Sequence, residues 1–157
     1  MADQARLDTA LRGQPSTGSV DRMRAVALAG ICLDAVTTWV VFAAPGYREY
    51  NPLLAGLWDG HPLLVAGYFS GLALAVVVAT GRHRRLSAAV SAYVVVVMGV
   101  FGGGNNLVLF AVGPPSPLAV VADAVGISGS TVVVTIAPAC GLLVAAGAVC
   151  LRRGSRS

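Results

Sequence analysis

Lysine is absent from this chain of 157 residues, so all 11 of its basic residues are arginines. That absence removes one tempting reading: the run GGGNN at 102–106 is no phosphate loop, because no Gly-Lys-Ser/Thr follows it. Charge of any kind is scarce. Only 11% of residues are charged, against about 25% in a soluble globular domain, and no nucleic-acid-binding motif accompanies the arginines. Cysteine is limited to Cys32, Cys140 and Cys150, all in apolar runs and none in a CxxC pair. They read as small packing residues, with no redox chemistry. Histidine is limited to His61 and His83, which fall at opposite ends of the expected bundle and cannot share a metal. No histidine follows His83, so GISG at 126–129 lacks the partner that a rhomboid-type intramembrane protease needs. Asp59 and Asp123 form neither the paired acids of an intramembrane aspartyl protease nor the aspartate cluster of a lipid head-group transferase. No catalytic residue and no cofactor are therefore assigned, and the chain is not read as an enzyme.

What remains is apolar. Hydrophobic residues make up 56% of the chain and the mean hydropathy is +0.76. About 20 residues of helix cross a hydrocarbon core, and four runs qualify: 24–44, 62–80, 86–112 and 130–151. The predicted fold is all-α, a four-helix transmembrane bundle spanning 23–151. A mobile tail over 1–22, with one amphipathic turn near 3–12, and a basic tail over 152–157 flank it. The first run is too long for a secretory signal and carries an acid, so it is read as retained.

The arginines orient the bundle. Arg6, Arg12, Arg22 and Arg24 precede the first run; Arg82, Arg84 and Arg85 lie between the second and third; Arg152, Arg153 and Arg156 follow the fourth. Ten of the 11 thus share one side, and Arg48 alone lies on the other. By the positive-inside rule both termini are expected in the cytoplasm, with the protein in the plasma membrane. The two loops on the outer side each hold an apolar stretch too short to span. Pro52 and Pro117 suit the first turn of a short helix, and Tyr47, Tyr50 and Trp58 suit a headgroup layer. Each loop is expected to carry a short interfacial segment.

One acid lies within the spans. Asp34 stands roughly ten residues from either end of the first run, where an aspartate costs about 2.5–3.5 kcal/mol to insert. Thr37 and Thr38 follow at the spacing that shares its helix face, so that face is expected to turn inward. No Arg or His lies near its depth. Asp34 is expected either to be protonated or to be satisfied by hydroxyls and amides of other helices, or by a bound cation. Asn105 and Asn106 of the third run offer amides in the same half of the membrane. Pro138 frees the carbonyl of Val134 in the fourth, and Tyr68, Ser70, Thr131 and Thr135 are further candidates. Gly67/Gly71 and Gly99/Gly103 are GxxxG pairs, marking close packing within the bundle or against a second copy or a membrane partner.

The pattern LDAVTTW followed by GYREYNPLL resembles a family of small, mostly archaeal, multi-pass membrane proteins of unknown function. The shared elements are Asp34, Thr37 and Thr38, then Glu49, Asn51 and Pro52. The resemblance covers roughly residues 28–112. It implies no activity. Many relatives carry a lysine in the second span, where this chain has Tyr68 to Gly71.

Together the residues point to an outward-facing polar pocket for a small ligand or cation, formed by Asp34, Thr37, Thr38, Glu49, Asn51 and Asn105, with no metal assigned. The alternative is a structural or accessory subunit whose polar residues only lock helices.

Overall fold

In the computed structural model, which describes residues 17–44, 49–82 and 87–154, every regular element is helical. Six helices follow in chain order. α1 is Thr17–Ala43, α2 is Pro52–Gly60 and α3 is Pro62–Arg82. α4 runs over Ser87–Val112, α5 is Pro117–Ala124, and α6 runs from Gly129 to Gly154. Four stretches are long and apolar enough to cross a membrane: Asp21–Ala43, Pro62–Gly81, Ser87–Val112 and Gly129–Leu151. At 1.5 Å rise per residue, about 20 residues cover the 30 Å hydrocarbon core. The four spans among the described residues make the chain a multi-pass membrane protein.

Lipid as solvent explains the exterior. Val36, Leu74, Val108 and Leu143, one from each span, all face outward. In water such a surface would be a contiguous apolar patch of a size soluble monomers avoid. The interior is set by a seam on α1: Ala27, Ile31, Asp34, Thr38 and Val41 are all buried, spaced alternately by four and three residues. That spacing suits a left-handed bundle with shallow crossing angles. Without a hydrophobic drive between helices in lipid, close contact depends on small residues. A Cβ placed on Gly30 of α1 would lie 3.4 Å from the Cα of Gly99 on α4, and one on Gly103 would lie 2.9 Å from the backbone nitrogen of Asp34. The α1–α4 interface is the most extensive in the molecule. The Gly99/Gly103 pair is thus consumed inside the chain by α1, while Gly67 and Gly71 face outward with nothing near them.

The two short helices share one end of the bundle. Asn51 caps α2, its side-chain oxygen accepting the N–H of Leu53 at 3.0 Å, and Pro52 opens the helix. Trp58 of α2 stacks on Phe42 (centroids 4.4 Å apart, planes 6° apart) and meets Trp39 edge-on at 5.1 Å, pinning α2 to the end of α1. Ser116 caps α5 by accepting the N–H of Ala119 at 3.2 Å, and Leu118 and Ala122 pack on Phe101 and Val132. At the opposite end, Arg24 of α1 donates to Thr80 of α3 at 2.9 Å.

Two spans depart from α geometry. Val95–Gly104 within α4 and Val132–Ile136 within α6 are wound as π-helix. Such wide turns are rare and concentrate at functional sites. In α6 the wide turn precedes Pro138, and the N–H of Ala137 reaches back to the carbonyl of Val132, an arrangement that accommodates the missing proline donor. The expected turn at 3–12, along with Tyr47, Arg48, His83, Arg84 and Arg85, lies outside the described residues.

Candidate ligand cavity

A cavity of about 460 Å³ is lined from residues 49–54, at the start of α2, to Asp34 in mid-span and Tyr93 nearer the start of α4. Five of the six sequence-predicted residues line it: Asp34, Thr38, Glu49, Asn51 and Asn105. Both π segments contribute wall, through Val97, Met98, Phe101 and Gly102 from α4 and Val133 and Val134 from α6.

Asp34 is 5% exposed. Its Oδ1 accepts a hydrogen bond from the Thr38 hydroxyl at 3.2 Å. Oδ2 accepts none among the described residues. The carboxyl lies directly on Gly102, where any Cβ would collide with it. Thr38 is a relay, because the amide of Asn106 donates to its hydroxyl at 3.5 Å and to that of Thr37 at 3.3 Å. An oriented chain thus runs from the Asn106 amide through a threonine hydroxyl to the Asp34 carboxyl.

Glu49 lines the cavity at the α2 end. Its Oε1 accepts the backbone N–H of Asn51 at 2.7 Å. Burial pushes the Glu49 carboxyl above its ordinary value, partly opposed by the backbone N–H groups of Asn51 and Tyr50. Tyr50 anchors this segment to the start of α6, since its ring occupies the space that a side chain at Gly129 would need. Tyr93 reaches across to α6 in the same way: a Cβ on Gly141 would lie 2.8 Å from its ring.

Several expectations need correction. Thr37 is not in the cavity wall. Its hydroxyl donates to the carbonyl of Leu33 at 2.8 Å and takes the Asn106 amide, so it serves packing. Asn106, rather than Asn105, reaches the α1 threonines. Asn105 lines the cavity, but its carbonyl oxygen holds the N–H of Leu118 at 3.0 Å and so fastens α5. Ser70 is exposed on the outer face of α3. Thr131 and Thr135 are exposed, and α6 turns Val132, Val133, Ala137 and Pro138 toward the bundle instead. Tyr68 does join the wall, and Val134 and Pro138 are also among the residues that line it. The rings of Tyr93 and Phe101, which the sequence does not single out, also line the cavity, as does Tyr50, expected in a headgroup layer. A tyrosine well inside an apolar span, as Tyr93 is, was the available signal, since its hydroxyl demands a polar surrounding.

Among the described residues no cationic side chain lines the cavity, and no group of three His, Cys, Asp or Glu side chains gathers to hold a metal. Arg48, the neighbour most able to pair with Glu49, lies outside the described residues. Comparison with family models, with curated proteins and with solved structures finds no match to this chain.

Proposed function

We propose that this membrane protein binds a small ligand or a cation in an outward-facing pocket built on Asp34 and Glu49, in a transport, sensing or accessory role. The observation that carries this reading is the carboxyl of Asp34, nearly inaccessible yet on a cavity wall with one oxygen unbonded. A mid-membrane acid is by default a functional residue. The arginine distribution supports a plasma-membrane location with both termini cytoplasmic, which turns the α2–α5 end outward.

The rival reading, a structural or partner-binding subunit, is favoured by one observation. The Thr37, Thr38 and Asn106 side chains bond to one another across the α1–α4 interface, as helix-locking residues do. The outward Gly67/Gly71 face is where a second copy or a membrane partner would pack.

Thermal stability of the purified protein in detergent, with and without a panel of cations and small solutes, separates the two. A ligand raises stability by RT ln(1 + [L]/Kd), and Asp34→Asn should abolish that rise while keeping the fold. If no solute shifts the wild type, the structural reading replaces this one. Orientation is tested with Asp59→Cys and Arg84→Cys in a background lacking the native cysteines. Impermeant reagent added outside should label position 59, and preferential labelling at 84 would invert the topology.

A further inference from the structure

The chemistry of the cavity wall narrows the ligand further, on the assumption that the cavity is a ligand site at all. Charge comes first. Two carboxyls from separate elements, Asp34 on α1 and Glu49 before α2, face one space, and none of the other described residues lining it is cationic. An anion finds no cationic partner among the described lining residues, whereas a cation would compensate whichever of the two acids is ionised.

Size comes second. At about 30 Å³ per liquid water, 460 Å³ is the room of about 15 waters. It falls in the range of small-molecule pockets, about 300–1,000 Å³. A bare inorganic cation would occupy a small corner of it and leave the apolar wall wet.

The wall itself comes third. The wall also carries the rings of Tyr68, Tyr93 and Phe101, together with Met98. Aromatic faces attract cations electrostatically, most strongly where water is excluded, and they are the usual surroundings of ammonium groups in proteins. The oxygen-rich, ring-poor shell of a hard metal ion is a different construction.

We propose that the cavity takes a small organic ammonium ion, its charge held by Asp34, with Glu49 adding negative potential from the α2 end, and its carbon body against Tyr68, Tyr93 and Phe101. Asp34 Oδ2 supplies the unoccupied acceptor at the deep end. Thr38, polarised by Asn106, holds the other oxygen, so the carboxyl is oriented before the ligand arrives.

The test uses the full chain in detergent and three kinds of probe at matched ionic strength. These are choline chloride and butylammonium chloride, then the chlorides of sodium, potassium and magnesium, and then the neutral carbon isostere of choline, in which a tert-butyl group replaces the trimethylammonium. The ammonium salts should raise the unfolding temperature saturably, while the isostere and the inorganic salts leave it unmoved. Asp34→Asn should abolish the response. Tyr68→Leu should weaken choline about thirtyfold, the size of one desolvated cation–π contact. If Tyr68→Leu does not fold, choline against its isostere on the wild type still decides. An equal shift from the isostere, or an ammonium shift that survives Asp34→Asn, overturns the inference. A shift from inorganic cations alone overturns it and leaves the ligand-site reading standing. Silence from every probe removes both.

Discussion

Replacing Gly103 by alanine probes the contact on which the whole site depends. The added Cβ would stand 2.7 Å from Leu33 Cγ, 2.9 Å from the Asp34 nitrogen and 3.1 Å from the Leu33 carbonyl carbon. Two of those three atoms are α1 backbone, so no rotamer change relieves the collision. α1 and α4 must separate by several tenths of an ångström. Inserting a methyl group into a packed interior costs about 1–3 kcal/mol. Alanine returns up to about 1 kcal/mol of helix propensity over glycine. The expected net effect is a loss of about 1–2 kcal/mol. Separation also lengthens the Asn106 contacts to Thr37 and Thr38, already 3.3 and 3.5 Å. Gly67→Ala is the control, since nothing lies within 4 Å of its added methyl. There the propensity gain stands alone, and stability should hold or rise by up to about 1 kcal/mol. Denaturation in mixed micelles, run at two protein concentrations, reads both variants. If Gly103→Ala is as stable as wild type, the α1–α4 packing argument is wrong. If Gly67→Ala loses stability in a concentration-dependent way, the outward glycine face belongs to a protein interface.

Gly102→Ala places its methyl on the Asp34 carboxyl, a side chain that can rotate away. Stability should change by less than in Gly103→Ala, while any ligand-induced thermal shift disappears; retention of the shift would dissociate Asp34 from the site. Glu49→Gln should flatten the dependence of stability on pH. A buried Glu49 whose titration is raised favours the native state fully below the ordinary glutamate range, and that contribution is lost as pH rises through the raised value. Wild type should therefore lose stability with rising pH relative to the glutamine variant, and parallel curves would exclude Glu49 as the source. Asn51→Ala removes the cap of α2 and should cost about 1 kcal/mol. The loss should appear first in the fluorescence of Trp58, whose ring stacks on Phe42, and an unchanged spectrum would mean that α2 does not depend on its cap.

The spans are legible in the sequence because lipid imposes length and apolarity on every residue of a crossing helix, and both short helices announce themselves through Pro52 and Pro117. The Asp34–Thr38 pair is legible for a related reason: a polar group in an apolar helix must find a partner, and a spacing of four residues puts the two on one face. Facing is where the reading weakens. α3 is apolar all round, so nothing in its sequence distinguishes Tyr68, which lines the cavity, from Ser70, which faces outward. Thr135 falls inside the π segment of α6. Each wide turn there shifts the phase of an ordinary helical count, and the residues brought inward are Val132 and Val133. Asn105 and Asn106 are neighbours immediately after the π segment of α4. Their division of labour, one to α5 and one to α1, is likewise unreadable from a 3.6-residue period.

Asp34 adds little as a lock. Thr37, Thr38 and Asn106 already join α1 to α4, and none of those contacts requires a carboxyl. Asp34 contributes one further hydrogen bond, within its own helix, from Thr38 at 3.2 Å. Hydrogen bonds between spans average about 0.6 kcal/mol, while placing an aspartate at mid-membrane costs about 2.5–3.5 kcal/mol. On those figures the acid is a net loss of about 2–3 kcal/mol to the empty bundle. An asparagine at the same position would keep the bond to Thr38 and avoid much of the loss. The deficit is recovered if a cation enters the cavity and meets Oδ2. The comparison therefore has a definite sign: without ligand, Asp34→Asn should be at least as stable as wild type, and the order should reverse at saturating ammonium. A variant that is less stable than wild type under both conditions would show that the carboxyl holds the bundle together after all.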